Sequence, residues 1–179
     1  MDEVFLPVLM EEVGQDILAF DFFSESYCNF LLAACDSVGV WKSNPRDEYS
    51  TQDLDFEEHL PYIYKMVETH LVEEIGPCLS DYWRCDEFKL DALFAVKYSM
   101  EGQRSLSLHH DDSYISASVK LNNLYRGASL EFPRQKWDNR DISVGRLICW
   151  PGKLTHPHRC SPLEAGNKYS LTIWTKEVN

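Results

Sequence analysis

A chain of 179 residues suits one domain rather than two, and at 44% hydrophobic and 13% aromatic it can bury a sizeable core. Its 17 basic and 29 acidic residues leave a net charge of −12, which disfavours nucleic acid and anionic membranes as general partners because both would be repelled. The same charge is compatible with a cationic substrate, and equally with nothing more than solubility.

The opening MDEVFLPVLMEEVG has no basic flank, and Glu11 and Glu12 break its apolar run early, so no secretory signal is expected. No stretch approaches the roughly 18–20 apolar residues of a membrane helix. The six cysteines include no C-x-x-C pair, and their spacings do not match a structural zinc site. They are expected to be reduced thiols in a cytoplasmic setting.

In chain order, Ser24 is placed to cap a helix near 25–37, with Tyr27, Phe30, Leu31 and Ala34 on one face at i, i+3, i+4 and i+7. The polar stretch 42–56 reads as a loop. Pro61, a good first-turn residue, opens a second helix whose apolar stripe is Ile63, Met66, Val67 and Leu71, and Gly76-Pro77 is expected to end it. From about 91 the period changes to two. Phe94, Val96 and Tyr98 alternate with Ala95 and Lys97, and Ile115, Ala117, Val119 and Leu121 alternate with Tyr114, Ser116, Ser118 and Lys120. Further strands are expected over 128–132, 146–150, 154–159 and 168–175, with turn signals at Gly127, Pro133, Gly145, Pro151-Gly152 and Gly166. The chain therefore reads as a single α+β domain, 1–179. A helical part covers about 1–90, and a mainly β core covers about 91–179. Many short strands suggest a sandwich or barrel-like jelly roll, with the helices packed on one outer face.

Two clusters point to metal chemistry. In Leu108-His109-His110-Asp111-Asp112, residues two apart share a face of a strand, so His109 pairs with Asp111 and His110 with Asp112. The first pair is in phase with Ile115, Ala117, Val119 and Leu121, the expected inward side, and is preferred. The second cluster is His156-Pro157-His158. Two histidines and one carboxylate on one side of a metal leave three positions open, as iron chemistry with a bound co-substrate and oxygen requires, although zinc accepts the same donors. Ten residues beyond His158, Lys168 heads a strand face continued by Ser170, Thr172 and Trp174. A lysine entering a strand-built core is costly without a partner, and a dicarboxylate co-substrate would supply one. Glu131, Asp112, Asp138 and Asp141 are the acids nearest these strands, and any one could meet a cationic substrate group or be a solvated loop charge. His59 and His70 are expected to be surface or packing residues, His110 to support the ligands from behind or lie at the surface, and His156 to touch the rim of the site or pack its strand. Trp137 is expected to form a lid wall or to pack, and Trp150 to belong to the core or rim.

Residues 94–122, FAVKYSMEGQRSLSLHHDDSYISASVKLN, and 151–175, PGKLTHPHRCSPLEAGNKYSLTIWT, resemble the two metal segments of the procollagen lysyl hydroxylase catalytic domain, within the prolyl 4-hydroxylase-like superfamily. The shared pattern is H-x-D, then P-G-[KR]-L-T-H-x-H, a proline four residues on (Pro162) and a basic residue ten on (Lys168). This resemblance implies a cupin-like double-stranded β-helix with Fe(II) on His109, Asp111 and His158, His158 being chosen over His156. It further implies 2-oxoglutarate held by Lys168 and Tyr98, and O2 as the second co-substrate, with ascorbate as a supporting reductant. Thr172, Ser170 and Trp174 would line the pocket, Asn122 would lie near the metal, and Glu131 and Asp112 are candidates for the substrate side. The implied activity is hydroxylation of an unactivated C–H bond, with release of succinate and CO2. The expected substrate is a lysine or other cationic amino-acid side chain, free or in a peptide or protein, and a homodimer is the candidate assembly. The sequence departs from the family pattern in three places. Lysine stands for arginine at 168, keeping the charge but losing the bidentate fork. Arg126-Gly127-Ala128-Ser129 replaces a run of glycines, and Leu108 replaces a proline. The alternatives are a non-catalytic, cupin-like metal-binding module for sensing or interaction, and a zinc hydrolase, which lacks an evident general acid or base beside the triad.

Overall fold

The structure, a computed structural model, describes residues 4–43 and 49–178. Its first elements are strands. β1 (Met10–Gly14) and β2 (Ile17–Asp21) form a hairpin whose turn holds Asp16 in the left-handed region at φ 55°. This corrects the reading of 1–90 as helical. In β2, Leu18 and Phe20 enter the main core while Ile17 and Ala19 face the space between two sheets. A strand buried on both faces shows no alternation of apolar and polar residues, so it carries no period-two signal.

Helix α1 (Glu25–Val38) is capped by the Ser24 side chain, which accepts from the Tyr27 N–H, and ends at the left-handed Gly39. Its buried stripe is Cys28, Leu31 and Cys35, not the Tyr27–Phe30–Ala34 face, and Phe30 is exposed. The expected loop over 42–56 is also corrected in part. Gln52–Asp55 is β3, an edge strand paired with the next strand of the sheet, and 44–48 lie outside the described residues. The short α2 (Phe56–His59), with Asp55 as its cap, leads into α3 (Pro61–His70). Ile63, Val67 and Leu71 are buried there as expected, whereas Met66 is half-buried. Gly76-Pro77 does not end the helical run. Pro77 has no N–H to continue an α pattern, so the chain widens into a π turn over Leu71–Ile75, in which the Gly76 N–H reaches the Leu71 carbonyl. Helix α4 (Gly76–Trp83) restarts with Pro77 in its first turn.

The remaining strands are β4 (Phe88–Ser99), β5 (Leu106–His109), β6 (Ile115–Lys120), β7 (Tyr125–Gly127), β8 (Leu130–Phe132), β9 (Trp137–Asp138), β10 (Arg146–Pro151), β11 (His158–Cys160) and β12 (Leu163–Glu177). The strand expected over 154–159 is thus confined to its end, and that over 128–132 is shortened to Leu130–Phe132. Gly166 is not a separator. It lies inside β12 at φ 77°, where an added Cβ would stand 2.4 Å from the Leu124 carbonyl oxygen, so only glycine fits.

All pairings are antiparallel. The larger sheet runs β1-β2-β10-β6-β12-β4-β3, with β7 paired to the start of β12, and the smaller runs β5-β11-β8-β9. The outer face of the larger sheet meets the helices. Ile115, Ala117, Val119, Leu171, Ile173, Leu147 and Ala95 pack there against Leu31, Val67, Leu71, Ile75 and Leu79 in the main core. Two smaller clusters fill the gap between the sheets, one around Phe132 and Trp150 and one around Tyr98, Ala128 and Cys160. The fold is a double-stranded β-helix with its helices packed on one sheet. Among the described residues no helix is long and apolar enough to cross a membrane.

Candidate metal centre

The antiparallel register of β5 with β11 sets His109 directly opposite His158. Residues facing each other across two strands have Cβ atoms about 4.5–5.5 Å apart, so both imidazoles meet at one point between the sheets. Asp111, just beyond β5, closes the third corner. One carboxylate oxygen lies 3.5 Å from His109 Nε2, and the other lies 3.5 Å from His158 Nε2. The ligand atoms of all three residues fall within 4.8 Å of one another. Each imidazole is oriented through its other nitrogen. His109 Nδ1 lies 2.8 Å from the Ser107 carbonyl oxygen, and His158 Nδ1 lies 3.0 Å from that of His156. Donation from Nδ1 to a carbonyl leaves Nε2 as a lone-pair donor facing inward, the tautomer a metal ligand needs.

Electrostatics agree with this arrangement. Burial pushes the Asp111 carboxyl up, but the imidazoles of His109 and His158 beside it outweigh this and hold the group below its usual value, as an anion. Burial pushes the His158 imidazole down, favouring the neutral form that binds metal. Phe132 and Trp150 wall off His158, with ring centroids 5.3 and 5.1 Å away. Tyr49 packs on His109 at 5.2 Å. These two imidazoles and the carboxylate would hold an iron and leave it positions for a co-substrate and oxygen.

That cavity, about 300 Å³, lies between the sheets. The inner face of the larger sheet forms one wall. Register places Lys168 beside Tyr98, Ser170 beside Val96, and Thr172 beside Phe94 and Ser118. The Lys168, Ser170, Thr172 and Trp174 row all line it, as does Tyr98. Lys168 is only 4% exposed. Its ammonium donates to the Ala128 carbonyl oxygen at 2.9 Å, and among the described residues it forms no ion pair with a carboxylate. Burial, and then the Cys160 thiol beside it, push the Tyr98 hydroxyl well above its usual range, so it stays a neutral donor.

Several expected site residues are elsewhere. Asn122 does not line the cavity. Its amide donates to the Asn167 carbonyl and its carbonyl accepts from the Tyr169 N–H, pinning β12 as it approaches β6. Glu131 sits across from Arg159 and pairs with its guanidinium at 2.8 Å, facing a neighbouring polar hollow rather than the metal. Asp138 pairs with Arg140, and Trp137 packs on Phe132 away from the cavity. Asp112 and His110 do reach the cavity rim, both exposed. His156 has both nitrogens engaged, with Thr155 Oγ1 at 2.8 Å and the Gln15 carbonyl at 3.0 Å, and ties the metal strand to the β1–β2 turn.

The structure adds wall residues the sequence did not single out, chiefly Cys160, Arg159, Tyr49 and Asp53. Cys160 carried a signal, since it stands two residues from His158 and so shares its face. Tyr49 and Asp53 lie in the polar stretch, which has no periodicity to read.

No family model matches the sequence. Among curated relatives, the chain is 28% identical over 174 residues to the mimivirus procollagen lysyl hydroxylase and glycosyltransferase, covering 89% of this chain and 19% of that protein. It is 30% identical over 183 residues to mouse procollagen-lysine,2-oxoglutarate 5-dioxygenase 2, covering 93% of this chain and 24% of that protein. The chain thus spans about a fifth to a quarter of the length of the curated relatives it matches. Among solved structures, it superposes on a viral collagen prolyl hydroxylase of Paramecium bursaria Chlorella virus-1 with a TM-score of 0.65 at 18% identity, covering 93% of this chain and 98% of that one. A Pseudomonas putida prolyl-4-hydroxylase gives 0.61 at 18% identity, covering 92% and 94%. The chain is therefore related in sequence to the procollagen-lysine dioxygenases and shares its fold with 2-oxoglutarate and iron(II) oxygenases.

Proposed function

We propose that this chain is an Fe(II)- and 2-oxoglutarate-dependent oxygenase that hydroxylates a lysine or other cationic amino-acid side chain, free or within a peptide or protein. The observation that carries this reading is the pairing, in one cavity, of an inward-facing His109–Asp111–His158 set with a buried Lys168 that has no carboxylate partner among the described residues. A bare metal holder has no use for such a cation. A 2-oxo dicarboxylate would suit both features, its keto-acid end on the metal held by the triad and its far carboxylate on the Lys168 ammonium.

When bound, iron, 2-oxoglutarate and oxygen together supply the oxidation of an unactivated C–H bond, with succinate and CO2 as by-products. The chain's own tasks are binding, orientation and exclusion of water. Lys168 and the neutral Tyr98 hydroxyl would hold the far carboxylate, while Ser170 and Thr172 line the path between anchor and metal. Phe132 and Trp150 keep solvent from His158. Asp53 and Asp112 in the cavity wall, and the net charge of −12, favour a cationic group on the substrate side. Relatives named for lysine in procollagen support the same class.

The test is anaerobic addition of Fe(II) and then 2-oxoglutarate, watching for the weak visible charge-transfer band of the chelate. It is followed in air by succinate release against lysine, arginine and lysine-containing peptides. A band with succinate release that rises with a cationic substrate is expected. Metal uptake with no band from the folded protein would instead indicate a non-catalytic metal-binding module.

A further inference from the structure

The far end of the cavity is built as a closed cup. Gly127 and Ala128 both hold left-handed backbone, at φ 74° and 48°, and Ala128 is fully buried. A non-glycine residue there is uncommon, and the surroundings must hold it in place. They do so by tying this turn to the segment after β11. The Ala128 N–H reaches the Pro162 carbonyl at 3.1 Å, the Ser161 N–H reaches the Ser129 carbonyl at 2.9 Å, and the Ser129 N–H reaches Ser161 Oγ at 2.9 Å. The turn thereby aims the Ala128 carbonyl at Lys168 and fixes Cys160 opposite it. Lys168 Nζ stands 3.6 Å from Cys160 Sγ and 5.0 Å above the Tyr98 ring. Cys160 is 4% exposed, belongs to the apolar cluster of Val96, Tyr98, Ala128 and Leu163, and lines the cavity.

An ammonium has three protons. One goes to the Ala128 carbonyl and one is turned toward the sulfur, which leaves the third for a ligand. The thiol is therefore part of the floor on which the ligand's far carboxylate would rest. We infer that Cys160 sets the depth of this carboxylate subsite and thereby selects the chain length of the 2-oxo dicarboxylate that the cavity accepts. The inference rests on the function proposed above. It assigns Cys160 a specificity role, acting through the position of Lys168 and the volume under it.

The test is calorimetric binding to the full chain loaded with manganese(II), using 2-oxoglutarate and its six-carbon and four-carbon homologues, 2-oxoadipate and oxaloacetate. Removing the sulfur in Cys160→Ala should deepen the cup. The ratio of 2-oxoadipate to 2-oxoglutarate affinity is expected to rise about tenfold, the size of effect one methylene commonly has in a fitted pocket. Cys160→Val, with two methyl groups in place of the sulfur, should act in the opposite direction, weakening 2-oxoglutarate about tenfold while sparing oxaloacetate. Manganese(II) affinity should stay unchanged in both. Opposite shifts cannot come from general loosening, and if one variant fails to fold, the sign of the other's shift at unchanged manganese(II) affinity decides. If wild type binds 2-oxoglutarate and neither folded variant alters the preference, the inference fails and the oxygenase reading stands. If wild type loaded with metal binds none of the three acids, both fail.

Discussion

His156 and His158 stand two residues apart and are almost equally buried, at 2% and 4% exposure, yet only His158 turns toward His109 and Asp111. The difference lies in their partners. His158 spends Nδ1 on a carbonyl and keeps Nε2 inward, whereas His156 spends both nitrogens on neighbours. Opposite outcomes follow for the two alanine variants. His158→Ala should abolish the iron–2-oxoglutarate band, with metal affinity reduced at least tenfold. His156→Ala should keep the band but lower chemical stability by about 1–3 kcal/mol, because the Gln15 carbonyl loses its donor and a buried hole is left. Metal titration and urea unfolding of the same two proteins separate these effects. Equal loss of metal in both would overturn the ligand assignment.

At the scale of elements, the ligand pair was reached in the sequence by a phase argument that the structure does not support. β5 and β6 belong to different sheets, and Ile115, Ala117, Val119 and Leu121 face the helices, not the metal cavity. The cavity instead receives Ser118 from the other face of β6. Phase carries over only within a continuous strand, and the chain turns between 109 and 115. A second consequence concerns the end of α3. His70 stacks on Phe5 with centroids 3.7 Å apart, and its Nε2 is buried without a hydrogen-bond partner. Burial depresses its pKa below the ordinary imidazole value. The unfolded chain therefore binds a proton on this residue more readily than the folded one. Its contribution to stability is complete above the unfolded value of about 6.5 and is lost as the pH falls through the depressed folded value. The urea midpoint of wild type should fall between pH 7.5 and 5.5 by more than that of His70→Phe, which keeps the stack but cannot titrate. Identical falls would remove His70 from the account.

For the molecule as a whole, ligand binding and folding should be linked, because the three residues proposed to hold the metal and Lys168 come from β5, the segment after it, β11 and β12 and converge only in the native state. Metal and 2-oxoglutarate at about 100 times their Kd should each add about 2.7 kcal/mol, which for a chain of this size raises Tm by about 5–10 °C. Lys168→Met should retain the increment from metal and lose most of that from 2-oxoglutarate. Differential scanning fluorimetry with each ligand alone and together checks this, and an undiminished 2-oxoglutarate increment in Lys168→Met would exclude the lysine as its anchor.

Much of this molecule is legible in its sequence. The strand periodicity of Phe94–Tyr98 and 168–175, the cap at Ser24, the H-x-D pair, the second histidine of the distal pair and the lone lysine ten residues on are local patterns, and each appears in the structure as an element, a cap or a cavity residue. Those signals survive because they depend on the chemistry of neighbouring residues. What only the tertiary structure decided depends on which surfaces meet. β2 is buried on both faces and so looks like no particular element, and β3 and the Tyr49–Asp53 wall come from a stretch without period. Glu131 was drawn away from the cavity by Arg159 across the strand, and Asn122 by the backbone of β12. His158 rather than His156 joins His109 and Asp111 because β11 pairs with β5 in the register that sets His158 opposite His109. Cys160 became part of the site because a strained turn 32 residues upstream packs beneath it. Register and packing are set by the burial of the whole core, and no local stretch of residues contains that information.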